Sequence, residues 1–94
     1  MGSQSPDTMR TVTLRNKRGL HARASAKFVR MAEGFDAHVT VAKDGVEVPG
    51  TSIMGLMLLA AAQGEEVTIT VTGRQAAQAL EGLSALIIRG FDED

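Results

Sequence analysis

Apolar and polar positions alternate from Arg10 to Arg15, with Val12 and Leu14 on one side and Thr11 and Thr13 on the other. That period of two predicts a half-buried strand. Asn16 to Gly19 is a polar loop. From Ala22 to Glu33 the period lengthens to about 3.6 residues, as on one face of a helix. Ala22, Ala26, Val29 and Ala32 form the stripe, widened by Phe28 and Met31, and Gly34 stands where a left-handed cap would end the helix. Ala37, Val39 and Val41 alternate with His38 and Thr40 as a second strand. Asp44-Gly45 is a tight hairpin signal, because both centres of a primed turn need positive φ. Val46 and Val48 follow as a short third strand that Pro49-Gly50 ends. Ser52 then opens a short helix through the apolar run Ile53 to Ala62, which Gly64 stops. Val67, Ile69 and Val71 alternate with threonines as a fourth strand. After Gly73 a last helix presents Ala76, Leu80, Leu83 and Ile87 on one face, with Gly82 inside it at a cost of about 1 kcal/mol relative to alanine. The predicted order is βαββαβα. An α+β fold with one four-stranded antiparallel sheet and three helices on one face buries both apolar sets around a single core.

Length adds that 94 residues suffice for one small domain. Residues 1–8 are polar and read as a disordered tail or an expression scar, 9–90 as the domain and 91–94 as an acidic end, in which Asp92-Glu93-Asp94 is expected to fray. The run from Ile53 to Ala62 falls short of the roughly 20 apolar residues a membrane span needs, so no membrane partner is expected. Lys+Arg 10 against Asp+Glu 11, with aromatics at 3%, argue against a nucleic-acid partner. Cysteine is absent, which removes disulfides and thiolate metal sites and fits a reducing compartment, the cytoplasm.

The chemistry concentrates at His21. A glycine-containing loop delivers this histidine to the start of an amphipathic helix, with Arg23 following. Free N–H groups and the helix dipole make such a start a place for anions. A guanidinium fork suits phosphate oxygens, and a neutral imidazole is a competent nucleophile. Arg23 opposes the dipole, which makes sense if an anion is to be held there. The plainer reading is a histidine cap and a solvated arginine. Lys17, Arg18 and Lys27 add positive charge nearby. His38 lies on the polar side of a strand and reads as a surface residue. Neither metal-ligand spacing nor a nucleotide-binding glycine motif is present, so no metal and no cofactor are expected.

Gly19-Leu20-His21-Ala22-Arg23, followed by Ala26-Lys27-Phe28-Val29, resembles the active-site motif of HPr, the histidine phosphocarrier of the bacterial phosphotransferase system. Thr51-Ser52-Ile53-Met54-Gly55-Leu56-Met57 resembles that family's regulatory-serine segment. Spacing and element order agree, and the resemblance covers about Met9 to Arg89. It implies the family's open-faced β-sandwich. It implies that His21 accepts a phosphoryl group on Nδ1 from enzyme I and donates it to a histidine of an enzyme IIA-type domain. Arg23 would position the group, with the backbone of Ala22 and Arg23 binding its oxygens. The chain would itself be acted upon rather than act as an enzyme, and a carrier visiting several partners is expected to be a monomer. Family members commonly carry proline after the motif arginine, where this chain has Ala24. Ala24-Ser25 with Asn16-Lys17-Arg18 before them resembles the nitrogen-related proteobacterial branch more than the sugar-uptake branch.

Ser52 has an ordinary role as a helix N-cap, which Thr51 could also fill. The resemblance adds phosphorylation of Ser52 by an HPr kinase/phosphorylase. The following helix has no polar face, so part of it is buried or forms an exposed patch. Leu20, Lys27, Ile53, Met54, Leu56 and Met57 are the expected docking residues, although Ile53 and Leu56 could equally be core. The competing functional reading is a regulatory binding module whose phosphorylation state selects partners without any relay.

Overall fold

The alternating segments become strands β1 (Met9–Thr13), β2 (His38–Lys43), β3 (Val46–Pro49) and β4 (Glu66–Thr72) in the computed structural model, which describes residues 8–93. They pair as one antiparallel sheet in the order β1-β4-β2-β3. The central strand β4 sets the register, with Val12 opposite Val67 on one side and Val39 and Val41 opposite Val71 and Ile69 on the other. Side chains alternate across a strand, so this register gathers the valines and Ile69 on one buried face. Thr11 and Thr68 point the other way, their hydroxyls 2.9 Å apart. The expected hairpin turn forms between β2 and β3, with φ of 50° at Asp44 and 83° at Gly45. Pro49, opposite Thr40, is the last residue of β3, so the strand ends where Pro49-Gly50 was expected to end it. An edge strand tolerates the missing donor.

Helices α1 (Ala22–Glu33), α2 (Ile53–Leu58) and α3 (Ala76–Ile88) cover the apolar face. The four-stranded antiparallel sheet with three helices, in the order βαββαβα, is therefore the fold. Phe28, Leu80, Leu83 and Ile87 are almost wholly buried. Each such side chain contributes about 2–3 kcal/mol by leaving water. Gly82 fits between α3 and its neighbours, since a methyl there would stand 3.3 Å from the ring of Phe35 and 3.5 Å from the sulfur of Met31.

Four sequence expectations need correction. The buried stripe of α1 is Ala24, Ser25, Phe28, Val29 and Ala32, whereas Ala22 is exposed and Ala26 half-buried. Gly34 does cap α1, but with φ of -79°, in the right-handed rather than the expected left-handed conformation. Helix α2 stops at Leu58 instead of running through the apolar stretch, because the chain turns at Ala60 with φ of 51°. That turn puts Leu59 and Ala61 into the core. Finally, the acidic end does not fray within the described residues. Gly90–Asp92 forms a 3₁₀ turn whose Phe91 is fully buried, so the domain extends past residue 90. Residues 1–7 of the expected tail, and Asp94, lie outside the described residues.

Candidate functional site

The loop before α1 owes its shape to Gly19. With φ of 62° it brings the chain against the segment after α2, and a Cβ there would stand 2.2 Å from the carbonyl oxygen of Ala61. Leu20 N–H donates to that same oxygen at 3.0 Å. Leu20 enters the core and the chain arrives at His21 in extended conformation, with ψ of -179°. His21 is the N-cap of α1: Arg23 N–H donates to its Nδ1 at 3.2 Å. Ser25 is buried and its hydroxyl donates to the Leu20 carbonyl at 3.2 Å, tying the first turn to the loop. Ala24, where the resemblance led one to look for proline, is a core residue. It stands in the first turn, where backbone N–H groups have no partner within the helix.

The other side of the ring meets a residue far away in sequence. His21 Nε2 lies 2.6 Å from Oε2 of Glu93. The second oxygen of that carboxylate accepts from Asn16 Nδ2 at 3.0 Å, and Asn16 Nδ2 also donates to the Gly19 carbonyl at 2.8 Å. Burial pushes the Glu93 carboxyl upward, the largest single influence. The hydrogen bonds from Asn16 and His21, with the positive charge of Lys27, outweigh it and hold the group below its ordinary 4.5. Lys17, Arg18 and Arg23 line a shallow depression with His21 and Glu93. Arg23 is exposed, its side chain available to an anion arriving at the helix start.

Among the expected docking residues, Met54, Met57 and Ile53 are exposed, at 74%, 43% and 40%. Leu58 joins them at 76%. Leu56 and Leu20 do not belong to the patch: they are core, at 0% and 4%. Leu56 lies on the inner side of a six-residue helix beside Gly55, and Leu20 is drawn under the loop by its bond to Ala61. Lys27 is half-buried and its ammonium donates to the Phe91 carbonyl at 2.8 Å, so it pins the 3₁₀ turn instead of standing free. Ser52 caps α2, its hydroxyl accepting from Gly55 N–H at 2.9 Å. Ser52 borders a groove between α1 and α2 that Ile53 and Met54 also line.

Sequence reasoning missed Glu93 and Asn16. The available signal was Phe91, a lone large apolar residue in an acidic end, which is hard to reconcile with fraying.

The sequence pattern described as "PTS HPr component phosphorylation site" matches residues 8–89. The chain belongs to the HPr family. It is 43% identical to phosphocarrier protein HPr of Xylella fastidiosa over 83 residues, 88% of this chain and 93% of that one. It is 40% identical to phosphocarrier protein NPr of Escherichia coli over 85 residues, 89% of this chain and 94% of that one. The crystal structure of HPr from Thermoanaerobacter tengcongensis superposes with a TM-score of 0.87 at 38% identity, covering 92% of this chain and 97% of that one. As an HPr protein the chain is a phosphocarrier that transfers a phosphoryl group between components of the phosphotransferase system, a relay rather than an enzyme. Its partners are accordingly other proteins of that system. Among the described residues no helix is long and apolar enough to cross a membrane.

Proposed function

We propose that His21 is the phosphoryl acceptor of this carrier, taking the group on Nδ1 from the phosphohistidine of enzyme I and passing it to a histidine of an enzyme IIA-type protein. The observation that carries this reading is the bonding of the ring. Nδ1 accepts only a long N–H bond, at the start of α1, while Nε2 is occupied on the opposite side by Glu93. Once Arg23 N–H releases it, the Nδ1 lone pair is free to attack phosphorus, and the first-turn N–H groups of Ala22 and Arg23 with the Arg23 side chain can receive phosphoryl oxygens. Ile53, Met54 and Met57, with Leu58, supply an adaptable apolar docking patch for successive partners. Phosphorylation of Ser52 by an HPr kinase/phosphorylase would place about -1.5 to -2 charges at the rim of that patch and oppose docking. The protein works as a cytoplasmic monomer, without nucleic acid, membrane or cofactor.

The test is phosphoryl transfer from phosphoenolpyruvate through purified enzyme I, with wild type beside His21→Ala. Acid-labile, base-stable label on wild type alone is the expected result. Absence of label with enzyme I of both the sugar and the nitrogen branches would replace the relay by the regulatory binding module.

A further inference from the structure

Two hydrogen bonds define the state of the His21 ring. An ionised carboxylate can only accept, so the 2.6 Å contact with Glu93 requires a proton on Nε2. Arg23 N–H donates to Nδ1, which requires that nitrogen to be bare. Both bonds select the same neutral tautomer. The Glu93 carboxylate is itself fixed. Asn16, at 6% exposure, holds its other oxygen, and Asn16 is in turn tied to the Gly19 carbonyl of the loop that precedes the histidine. The backbone of Glu93 is anchored from two sides. Its N–H donates to the Gly90 carbonyl at 3.0 Å, and the adjoining turn is held by buried Phe91, whose carbonyl accepts from Lys27. The His21 and Glu93 side chains are 21% and 20% exposed, so solvent competes little for the bond between them. The family pattern matches residues 8–89, and Glu93 lies beyond it.

We propose that Glu93, steadied by Asn16, is a positioning residue for phosphoryl transfer: it fixes the Nε2–H tautomer of His21 and directs the bare Nδ1 toward the incoming group. This rests on the reading of His21 as the acceptor. In the transfer, the Nδ1 lone pair forms the new N–P bond as the bond from phosphorus to the donor histidine nitrogen breaks, and that electron pair returns to the donor. Nε2 keeps its proton throughout. The ring therefore gains a positive charge at this step, which the Glu93 carboxylate offsets from the side away from phosphorus. When the group moves on, the N–P electrons return to Nδ1 and the ring is neutral again. No proton crosses to Glu93 in either direction.

The test reads the ring and the transfer separately. The ¹⁵N shifts of the two His21 ring nitrogens lie far apart in one fixed tautomer and draw together when two tautomers average. Wild type is expected to show the wide separation, with Nδ1 as the unprotonated nitrogen. Glu93→Ala should narrow it and slow phosphoryl transfer from phosphorylated enzyme I, by up to roughly a hundredfold, the scale of a misplaced reacting group. Glu93→Gln keeps an acceptor oxygen but no charge. It should preserve the wide separation and recover transfer in part. An amide spectrum of each variant verifies the fold. Glu93→Ala with wild-type ring shifts would overturn the proposal whatever happened to the rate, because the residue would then act only through folding. If wild type took no phosphoryl group while the ring shifts still responded to Glu93→Ala, the acceptor reading would fall and the positioning role with it, leaving only the pairing of the two side chains.

Discussion

Gly19 is the residue on which the site's geometry turns. Its positive φ and the absence of a side chain let the loop lie directly on the backbone of Ala61 and Ala62. Gly19→Ala would have to tolerate a left-handed conformation, costing about 1–3 kcal/mol, and would also break the close approach that seats Leu20. The variant is expected to lose at least that much stability in a denaturant titration. It should also transfer phosphoryl groups more slowly than wild type even at temperatures where it is fully folded, because His21 N–H donates to the Gly19 carbonyl and Leu20 N–H to that of Ala61. Equal rates for folded mutant and wild type would mean that the loop does not set the position of the ring.

At the scale of elements, α2 and its cap bring together a capping hydroxyl, the proposed docking patch and a core contact between Ser52 and Leu58. So short a helix is marginal by itself, which makes its cap count. Ser52→Ala removes the oxygen that accepts from Gly55 N–H and is expected to cost about 1 kcal/mol, measurable as a lower Tm. Ser52→Asp keeps a capping oxygen and complements the helix dipole, so it should leave stability near that of wild type. It should nevertheless weaken transfer from enzyme I, because the charge sits beside Ile53 and Met54. Transfer kinetics of Ser52→Asp identical to wild type would sink the regulatory role proposed for this position. The pair of variants separates the two functions of one hydroxyl, since one should lower stability and the other docking.

Across the whole molecule, the site is closed by a contact between the start of α1 and the turn that follows α3. Phe91 holds that contact, fully buried in spite of a φ of 57°. Phe91→Ala should cost about 3–5 kcal/mol of stability, and the ring nitrogens of His21 should report release of Glu93 in whatever fraction stays folded. Acid should act on the same contact. Glu93 is held below its ordinary 4.5 when folded, so its stabilising contribution is complete above that value and is lost as pH falls through the lower folded value. Its neighbours are His21, Arg15, Lys17, Arg18, Arg23, Lys27 and Arg89. The difference in Tm between wild type and Glu93→Gln is therefore expected to be present near neutrality, to fall as the pH drops below 4.5 and to vanish once the pH lies below the lowered folded value. A difference that persisted unchanged into that range would show that the charge of Glu93 is not what stabilises the contact.

The sequence by itself determined the elements and their order, because a period of two or of 3.6 is a local property that any window of the chain carries. Val67, Ile69 and Val71 declare a strand wherever it is placed, and Asp44-Gly45 declares its turn. The candidate chemistry was equally local: His21 and Arg23 lie within one helical turn, and Ser52 directly precedes its helix. What the tertiary structure alone decided is which apolar residues face inward and which distant groups meet. Leu56 and Met57 are neighbours of similar hydrophobicity, yet only the packing of α2 makes one core and the other surface. Nothing local distinguishes Glu93 from the acidic residues around it. It reaches His21, 72 residues away, because Phe91 finds the core and Lys27 holds the turn, and such a contact is set by global packing that no periodicity encodes.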